Sequence, residues 1–232
     1  MKATPALRQR IGRASAAVAV ATLLGVAAWH GYDAVVSQPV KRVLFSGSTE
    51  RIAPAALDAL AHDIQAAPGG ASLAAVRDAA RRMAWVRDAT VRRRFPDTVE
   101  IQLETHAPLA RWNEAALVSR RGEVFVADYA AVLPRFRGAE GAAPLMARQY
   151  PALAAALAPL GSAIAEMRLS ARGAWQVTLD SGLDLDLGRG GVEARIARFV
   201  SAWPELAARG IASAHADLRY PNGFALRRTR SP

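Results

Sequence analysis

Arg92-Arg93-Arg94-Phe95-Pro96-Asp97-Thr98-Val99-Glu100-Ile101-Gln102-Leu103-Glu104 is the stretch that decides the fold. Val99, Ile101 and Leu103 alternate with Glu100, Gln102 and Glu104, the period of a strand with one wet and one buried face. Upstream, Ala89 and Val91 alternate in the same way, and Phe95-Pro96-Asp97 is the turn between the two runs. A three-residue loop predicts the register. Val91 then faces Ile101, Ala89 faces Leu103, and Arg92 lies opposite Glu100 on the solvent side.

Such a hairpin needs something to cover its apolar face, and the preceding residues supply it. Pro54 suits a first helical turn, Leu57, Leu60 and Ile64 recur at helical spacing, and Pro68-Gly69-Gly70 stops the run. A second helix is predicted after a cap at Ser72, with Leu73, Val76, Ala80 and Met83 on one stripe and Arg77, Arg81 and Arg82 elsewhere. Before both helices, Val40-Lys41-Arg42-Val43-Leu44-Phe45 reads as a strand running into Ser46-Gly47-Ser48. The order is β-α-α-β-β.

Downstream of Trp112 the pattern changes. Leu117-Val118, Gly122 and Val124-Phe125 predict a hairpin turning at Arg121-Gly122, and Leu133-Pro134 closes the next loop. Gly138 to Pro151 reads as irregular and Tyr150 to Leu160 as a short helix. Strands are expected at Ala163–Leu169, Trp175–Leu179 and Leu183–Leu187, the last two joined through Asp180-Ser181-Gly182. Val192, Ile196, Phe199, Val200 and Trp203 form a helical stripe ending at Pro204, and Ala216–Tyr220 returns to a strand. Tyr220-Pro221-Asn222-Gly223 then turns into a last short strand around Phe224 to Leu226. This half is α+β with a mostly antiparallel sheet.

At the other end, no charge occurs between Arg13 and Asp33. About nineteen residues at about 1.5 Å of rise reach about 28 Å, close to the hydrocarbon thickness of a bilayer. Ala14 to Tyr32, through Leu23 and Leu24, is therefore expected to span once, with Trp29 and Tyr32 as interfacial anchors. Lys2, Arg8, Arg10 and Arg13 hold the N-terminus in the cytoplasm, which exports everything after Asp33. A cleaved signal peptide, with small residues at Val26 and Ala28, is the alternative. The expected division is a cytoplasmic tail 1–13, a transmembrane helix 14–32, a linker 33–39, domains 40–109 and 110–227, and a tail 228–232.

The 232 residues carry a net charge of +10 and no cysteine, which excludes disulfides, thiol catalysis and thiolate metal sites. Arginine carries nearly all of it, since Lys2 and Lys41 are the only lysines. Basic clusters at Arg81-Arg82, Arg92-Arg93-Arg94, Arg120-Arg121 and Arg227-Arg228 are dispersed and lack interleaved aromatic platforms, so nucleic acid is a poor partner. His30, His62, His106 and His215 stand in no metal-ligand spacing. Gly188-Arg189-Gly190-Gly191 lacks the Lys-Ser/Thr of a phosphate loop and reads as a strand-to-helix turn. Asp184 and Asp186 alternate with Leu183, Leu185 and Leu187, as on the wet face of a strand and unlike a calcium loop. Neither a Gly-x-Ser-x-Gly elbow nor a singled-out carboxylate pair occurs. No catalytic residue, cofactor, metal or small-molecule substrate is expected.

The β-α-α-β-β order resembles a POTRA domain. Val40 to Gly47, Trp85-Val86 and Arg93 to Trp112 are similar to the POTRA domain of the FtsQ/DivIB family of bacterial division proteins, with Arg94, Pro96, Leu103, Glu104, Pro108 and Ala110 fitting its pattern. The resemblance continues through Trp175 to Leu179, Leu187 to Gly190, Arg195 to Phe199 and Ala216 to Arg227. It implies a non-enzymatic, single-pass inner-membrane scaffold at the division septum, built from a POTRA domain and a β domain. It also implies capture of FtsB, with FtsL beside it, by strand addition near the C-terminus. The implied contacts are Arg172, Arg219, Tyr220, Phe224, Ala225 and Leu226. A POTRA-bearing membrane receptor or chaperone for exported polypeptides is the alternative, weakened by the lack of repeated strands of about ten residues. A tethered peptidoglycan enzyme is a third.

Overall fold

The computed structural model of the chain describes residues 21–29, 39–67, 72–209 and 215–227. Residues 21–29 are helical, with Leu23, Leu24 and Trp29 exposed. Among the described residues no helix is long and apolar enough to cross a membrane. Ala14, Tyr32, the tail 1–13, most of the linker 33–39 and the tail 228–232 lie outside the described residues. The rest forms two compact units, divided between Thr105 and His106.

In the first unit, β1 (Arg42–Gly47), α1 (Pro54–Ala66), α2 (Leu73–Arg81), β2 (Val86–Arg94) and β3 (Thr98–Thr105) follow the expected order. The sheet order is β1-β3-β2. β2 and β3 form the hairpin in the predicted register, with Val91 opposite Ile101, Ala89 opposite Leu103 and Arg92 opposite Glu100. The Glu100 carboxylate takes its ion pair from Arg94, at 2.7 Å. β1 lies parallel to β3, which its helical crossover permits. Val99, Ile101 and Leu103 are buried against Leu60, Ile64, Val76 and Ala80 of the two helices. Two details differ from expectation. Ser72 stands at the N-cap with no side-chain bond, and Leu73 is exposed, because the helical stripe that packs begins at Val76.

The second unit contains β4 (Pro108–Trp112), β5 (Ala116–Ser119), β6 (Val124–Phe125), β7 (Arg135–Gly138), α3 (Ala143–Leu157), β8 (Ile164–Leu169), β9 (Trp175–Leu179), β10 (Asp184–Gly188), α4 (Val192–Ala208), β11 (His215–Asp217) and β12 (Ala225–Arg227). A short 3-10 turn, Ala158–Leu160, follows α3. One nine-stranded sheet runs in the order β12-β11-β10-β9-β8-β7-β4-β5-β6. The boundary expected after residue 109 falls inside β4, whose partners β5 and β7 both belong to this unit.

The sheet is mostly antiparallel, as expected, with three parallel pairings among its eight. β7–α3–β8 and β10–α4–β11 are helical crossovers, so β7 pairs with β8 and β10 with β11 in parallel, and β4 also lies parallel to β7. Residues 138–151 are not irregular: α3 begins at Ala143, with Pro144 in its first turn, and continues through Pro151. α4 likewise runs past Pro204 to Ala208, its Val192, Ile196 and Phe199 buried on the sheet and Val200, Trp203 and Leu206 packed beside them. Both prolines are carried because the helices bury long apolar stripes that outweigh one lost backbone bond.

Packing fixes which sheet face is which. Phe136, Met167, Val177, Leu179, Leu185, Leu187, Ala216 and Leu218 point into the core under α3 and α4. The intervening residues of the same strands face water.

Candidate functional site

Cross-strand register gathers one end of the nine-stranded sheet into a single surface. Leu169 pairs with Trp175 and Trp175 with Gly188, which places the β8–β9 turn carrying Arg172 level with the end of β10. Asp186 pairs with Asp217, so Arg219 emerges from β11 at the level of Gly188. Two strand spacings, about 10 Å, separate β9 from β11. Arg172, Arg219, Tyr220 and the turn into β12 therefore share one end of the sheet.

Arg219 is held from two sides. Its Nε and Nη2 donate to Asp217 Oδ1 and Oδ2 at 2.8 and 2.6 Å, a two-point fork of the kind that fixes a guanidinium plane. This bond holds the Asp217 carboxyl below its ordinary range, against a smaller opposing effect of burial. Asp217 raises the Arg219 guanidinium in turn. The side-chain stem crosses Gly188, where an added Cβ would stand 2.9 Å from Arg219 Cγ. Gly188 also has φ +72°, so both space and backbone require glycine.

Helix α4 secures the neighbouring loops. Arg195 Nη1 donates to the carbonyls of Leu187, Arg189 and Gly190 at 2.8, 3.1 and 2.7 Å. One turn on, Arg198 Nη1 donates to the Tyr220 carbonyl at 3.3 Å. The glycine-rich segment is thus a strand-to-helix turn clamped by an arginine, as its sequence suggested. Neither Asp217 nor the arginines of α4 stood out as site residues in the sequence. The signal was there in spacing: Asp217 and Arg219 are two apart near a strand end, and Arg195 and Arg198 lie three apart on one helix.

β12 closes the sheet. Ala216 pairs with Leu226 and Asp217 with Ala225, which turns Leu226 toward the core and Ala225 toward water. Phe224 meets Phe199 edge-on with ring centroids 5.2 Å apart, so the strand is pinned by an aromatic contact to α4. Tyr220 stands out at 53% exposure. Arg172 is exposed in its turn. Among the described residues no strand lies beyond β12 in the sheet order.

The remaining polar candidates have structural surroundings. His106 stacks on Phe125 with centroids 4.2 Å apart and sits 3.3 Å from Glu123, and His215 sits 3.3 Å from Asp186. Asp184 and Asp186 accept from Thr178 and Gln176 across the strand pair. Among the described residues no cluster of three or more ligating side chains could hold a metal ion.

Comparison with known proteins gives the same division of the chain. The FtsQ-type POTRA domain matches residues 38–106, and the C-terminal region of cell division protein FtsQ/DivIB matches residues 110–219. Tyr220 and β12 lie just past the second match. Cell division protein FtsQ of Burkholderia pseudomallei is 36% identical over 225 residues, covering 92% of this chain and 90% of the relative. That of Neisseria gonorrhoeae is 38% identical over 192 residues, 82% of this chain and 79% of the relative. That of Bordetella pertussis is 42% identical over 172 residues, 65% of this chain and 63% of the relative. With both domain types present in order and this identity sustained along the chain, the protein belongs to the FtsQ/DivIB family of cell division proteins.

Proposed function

We propose that this chain is a non-enzymatic scaffold of the bacterial divisome that captures FtsB, with FtsL beside it, by strand addition to β12. The observation that carries the reading is the open edge itself. β12 ends the sheet, is pinned from behind by Phe224 on Phe199, and is flanked by the exposed Tyr220. An incoming strand gains backbone bonds along an edge and specificity from side chains on alternate faces. Tyrosine adds contact area at small ordering cost, and Arg172 offers a cation at the same end of the sheet. In this reading the chain links early and late division proteins and so helps to control septal peptidoglycan synthesis.

The scaffold sits in the inner membrane at the septum, its N-terminus cytoplasmic and both folded units periplasmic. The uncharged run Ala14 to Tyr32 and the four cations before it support that topology. A retained helix confines the search for other single-span proteins to a plane.

Tyr220→Glu tests the capture. It should cost more than about 2 kcal/mol of affinity for FtsB while the urea unfolding curve stays unchanged. Undiminished co-purification of FtsB with the folded variant would sink the proposal. Sequencing the N-terminus of the mature protein tests the tether: Met1 or Lys2 supports it, and a start at Trp29 overturns it.

A further inference from the structure

At the tip of the β2–β3 hairpin stands an aromatic residue that core packing does not explain. Of the six phenylalanines, five are buried or half-buried, while Phe95 is 58% exposed. Pro96 beside it is exposed as well. Arg93 lays its guanidinium over the Phe95 ring, with Cζ 5.8 Å from the centroid.

Cations crowd the same place. Arg42 opens β1 with Lys41 just before it, and their backbone N–H groups donate to the Asp97 carbonyl at 3.2 and 2.8 Å. Together with Arg92, Arg93 and Arg94 at the end of β2, they surround the turn with five cations. Two carboxylates answer them, Asp97 pairing with Arg42 at 3.1 Å and Glu100 with Arg94 at 2.7 Å. Lys41 adds to the positive field on Asp97. The last turn of α1 reaches this end too, where Gln65 Nε2 donates to the Lys41 carbonyl at 3.0 Å, and it brings one more exposed carboxylate, Asp63. Even with Asp63 counted, cations stay in excess by two. Guarding an edge accounts for arginines along β2 but not for an exposed phenylalanine among them. An aromatic ring flanked by cations is what proteins present to a membrane surface, the ring at headgroup level and the cations on phosphates.

The chain also enters this unit at its hairpin end. Nine residue steps separate Tyr32, where the uncharged run closes, from Lys41, a reach of at most about 32 Å. The opposite end of the unit, where Ser48 N–H donates to the Leu103 carbonyl, lies about 17 Å further along β3.

We infer, on the strength of the tether proposed above, that the β2–β3 turn docks on anionic lipid headgroups, with Lys41 and Arg92 toward the phosphates and Phe95 at the boundary with the acyl chains. Docking there selects which end of the first unit meets the bilayer. β3 runs away from the turn, so it delivers the chain at Thr105 on the side facing away from the lipid.

The test uses the full-length protein in bilayer nanodiscs, made of phosphatidylcholine alone or of phosphatidylcholine and phosphatidylglycerol in equal parts. Because the chain has no cysteine, Phe95→Cys offers a single position for a nitroxide, whose apolar ring stands in for the phenyl. Glu50→Cys places the control at the opposite end. In the anionic discs the label at position 95 should lose about threefold or more of its accessibility to a water-soluble nickel chelate, and regain it as salt is raised. The control label should stay exposed in both discs. Lys41→Glu with Arg92→Glu should re-expose position 95 while thermal unfolding stays unchanged. Equal accessibility in the two discs, or protection that survives the charge reversal, would overturn the headgroup contact. Protection already present in neutral detergent would overturn it as well, in favour of a protein surface. Protein that elutes apart from the discs would overturn the tether and this docking with it.

Discussion

Two open sheet edges in this molecule are built in opposite ways. β2 borders the first sheet with nine residues, and β12 borders the second with three. Length alone would make β2 the better template for a passing strand. Yet β2 carries Arg87, Arg92, Arg93 and Arg94, with Arg87 and Arg94 paired to Glu104 and Glu100 at 2.8 and 2.7 Å. Charge along an edge blunts it. β12 turns Ala225 and Arg227 to water and Leu226 toward the core, and is stiffened from behind by the Phe199–Phe224 contact. If β12 is the receptive edge proposed above, four arginines along a long edge against one on a short, stiffened edge make receptivity a matter of what lines an edge.

Removing the stiffening is the most severe way to break that contrast. Phe199 is fully buried, and Phe199→Ala should cost about 3–5 kcal/mol in the second unit while taking away the support for β12. Urea unfolding should show the loss in that unit's transition, and FtsB capture should fall with it. Ile101→Ala is the matched cut in the first unit, where a buried isoleucine is worth about 2–5 kcal/mol. It should leave β12 binding unchanged, and joint loss would show that the two units do not unfold independently.

Backbone geometry at the far side of the first sheet gives a smaller effect. Gly47 has φ +87°, and an added Cβ would stand 2.3 Å from the Leu103 carbonyl oxygen. Gly47→Ala should therefore destabilise the first unit by about 1–3 kcal/mol, read as a lower urea midpoint with an unchanged slope. Smaller again is the exchange of edge character. Ala225→Lys should give β12 a guard like that of β2 and weaken FtsB capture by about 1 kcal/mol, about fivefold, without moving the unfolding curve.

How far these features could be read from sequence depends on how many residues enforce each one. The β2–β3 hairpin was legible to the residue, because three alternating apolar residues on one strand and two on the other permit one register. The hairpin at Asp180 to Gly182 was legible for the same reason. α3 was legible only from Tyr150 onward, since Gly141, Pro144 and Pro151 break the local pattern of its first half, which burial of Ala143, Met146 and Ala147 under the sheet restores. β7 was missed as well. Arg135-Phe136-Arg137-Gly138 carries one core residue, and a parallel strand takes its place from neighbours distant in sequence. Of the site, Arg219, Tyr220 and Phe224 came from family resemblance. The Asp217 fork and the clamp by Arg195 had only a trace in spacing, and their partners are set by the fold.

Acid offers the finest probe of the two edges, because each has one aspartate held below its ordinary range for a different reason. Asp88, in β2, is lowered first by the backbone N–H of Ala89 and then by Arg77, and Asp217, beneath β12, first by the Arg219 side chain. The sign follows from linkage. A carboxyl whose folded pKa lies below its unfolded value of about 3.9 stabilises the fold above that pH, and the gain disappears as pH falls through the folded value. Both units should therefore lose stability between about pH 4 and lower values, and Asp88→Asn or Asp217→Asn should flatten the slope in its own unit. Salt separates the causes. Ions screen exposed pairs more than partly buried ones, so high salt should shrink the contribution of Asp88, whose carboxylate is 41% exposed beside Arg77 and Arg81, more than that of Asp217, which is 14% exposed. Equal responses to salt would mean that Asp88 is held by the Ala89 backbone bond and not by its arginines.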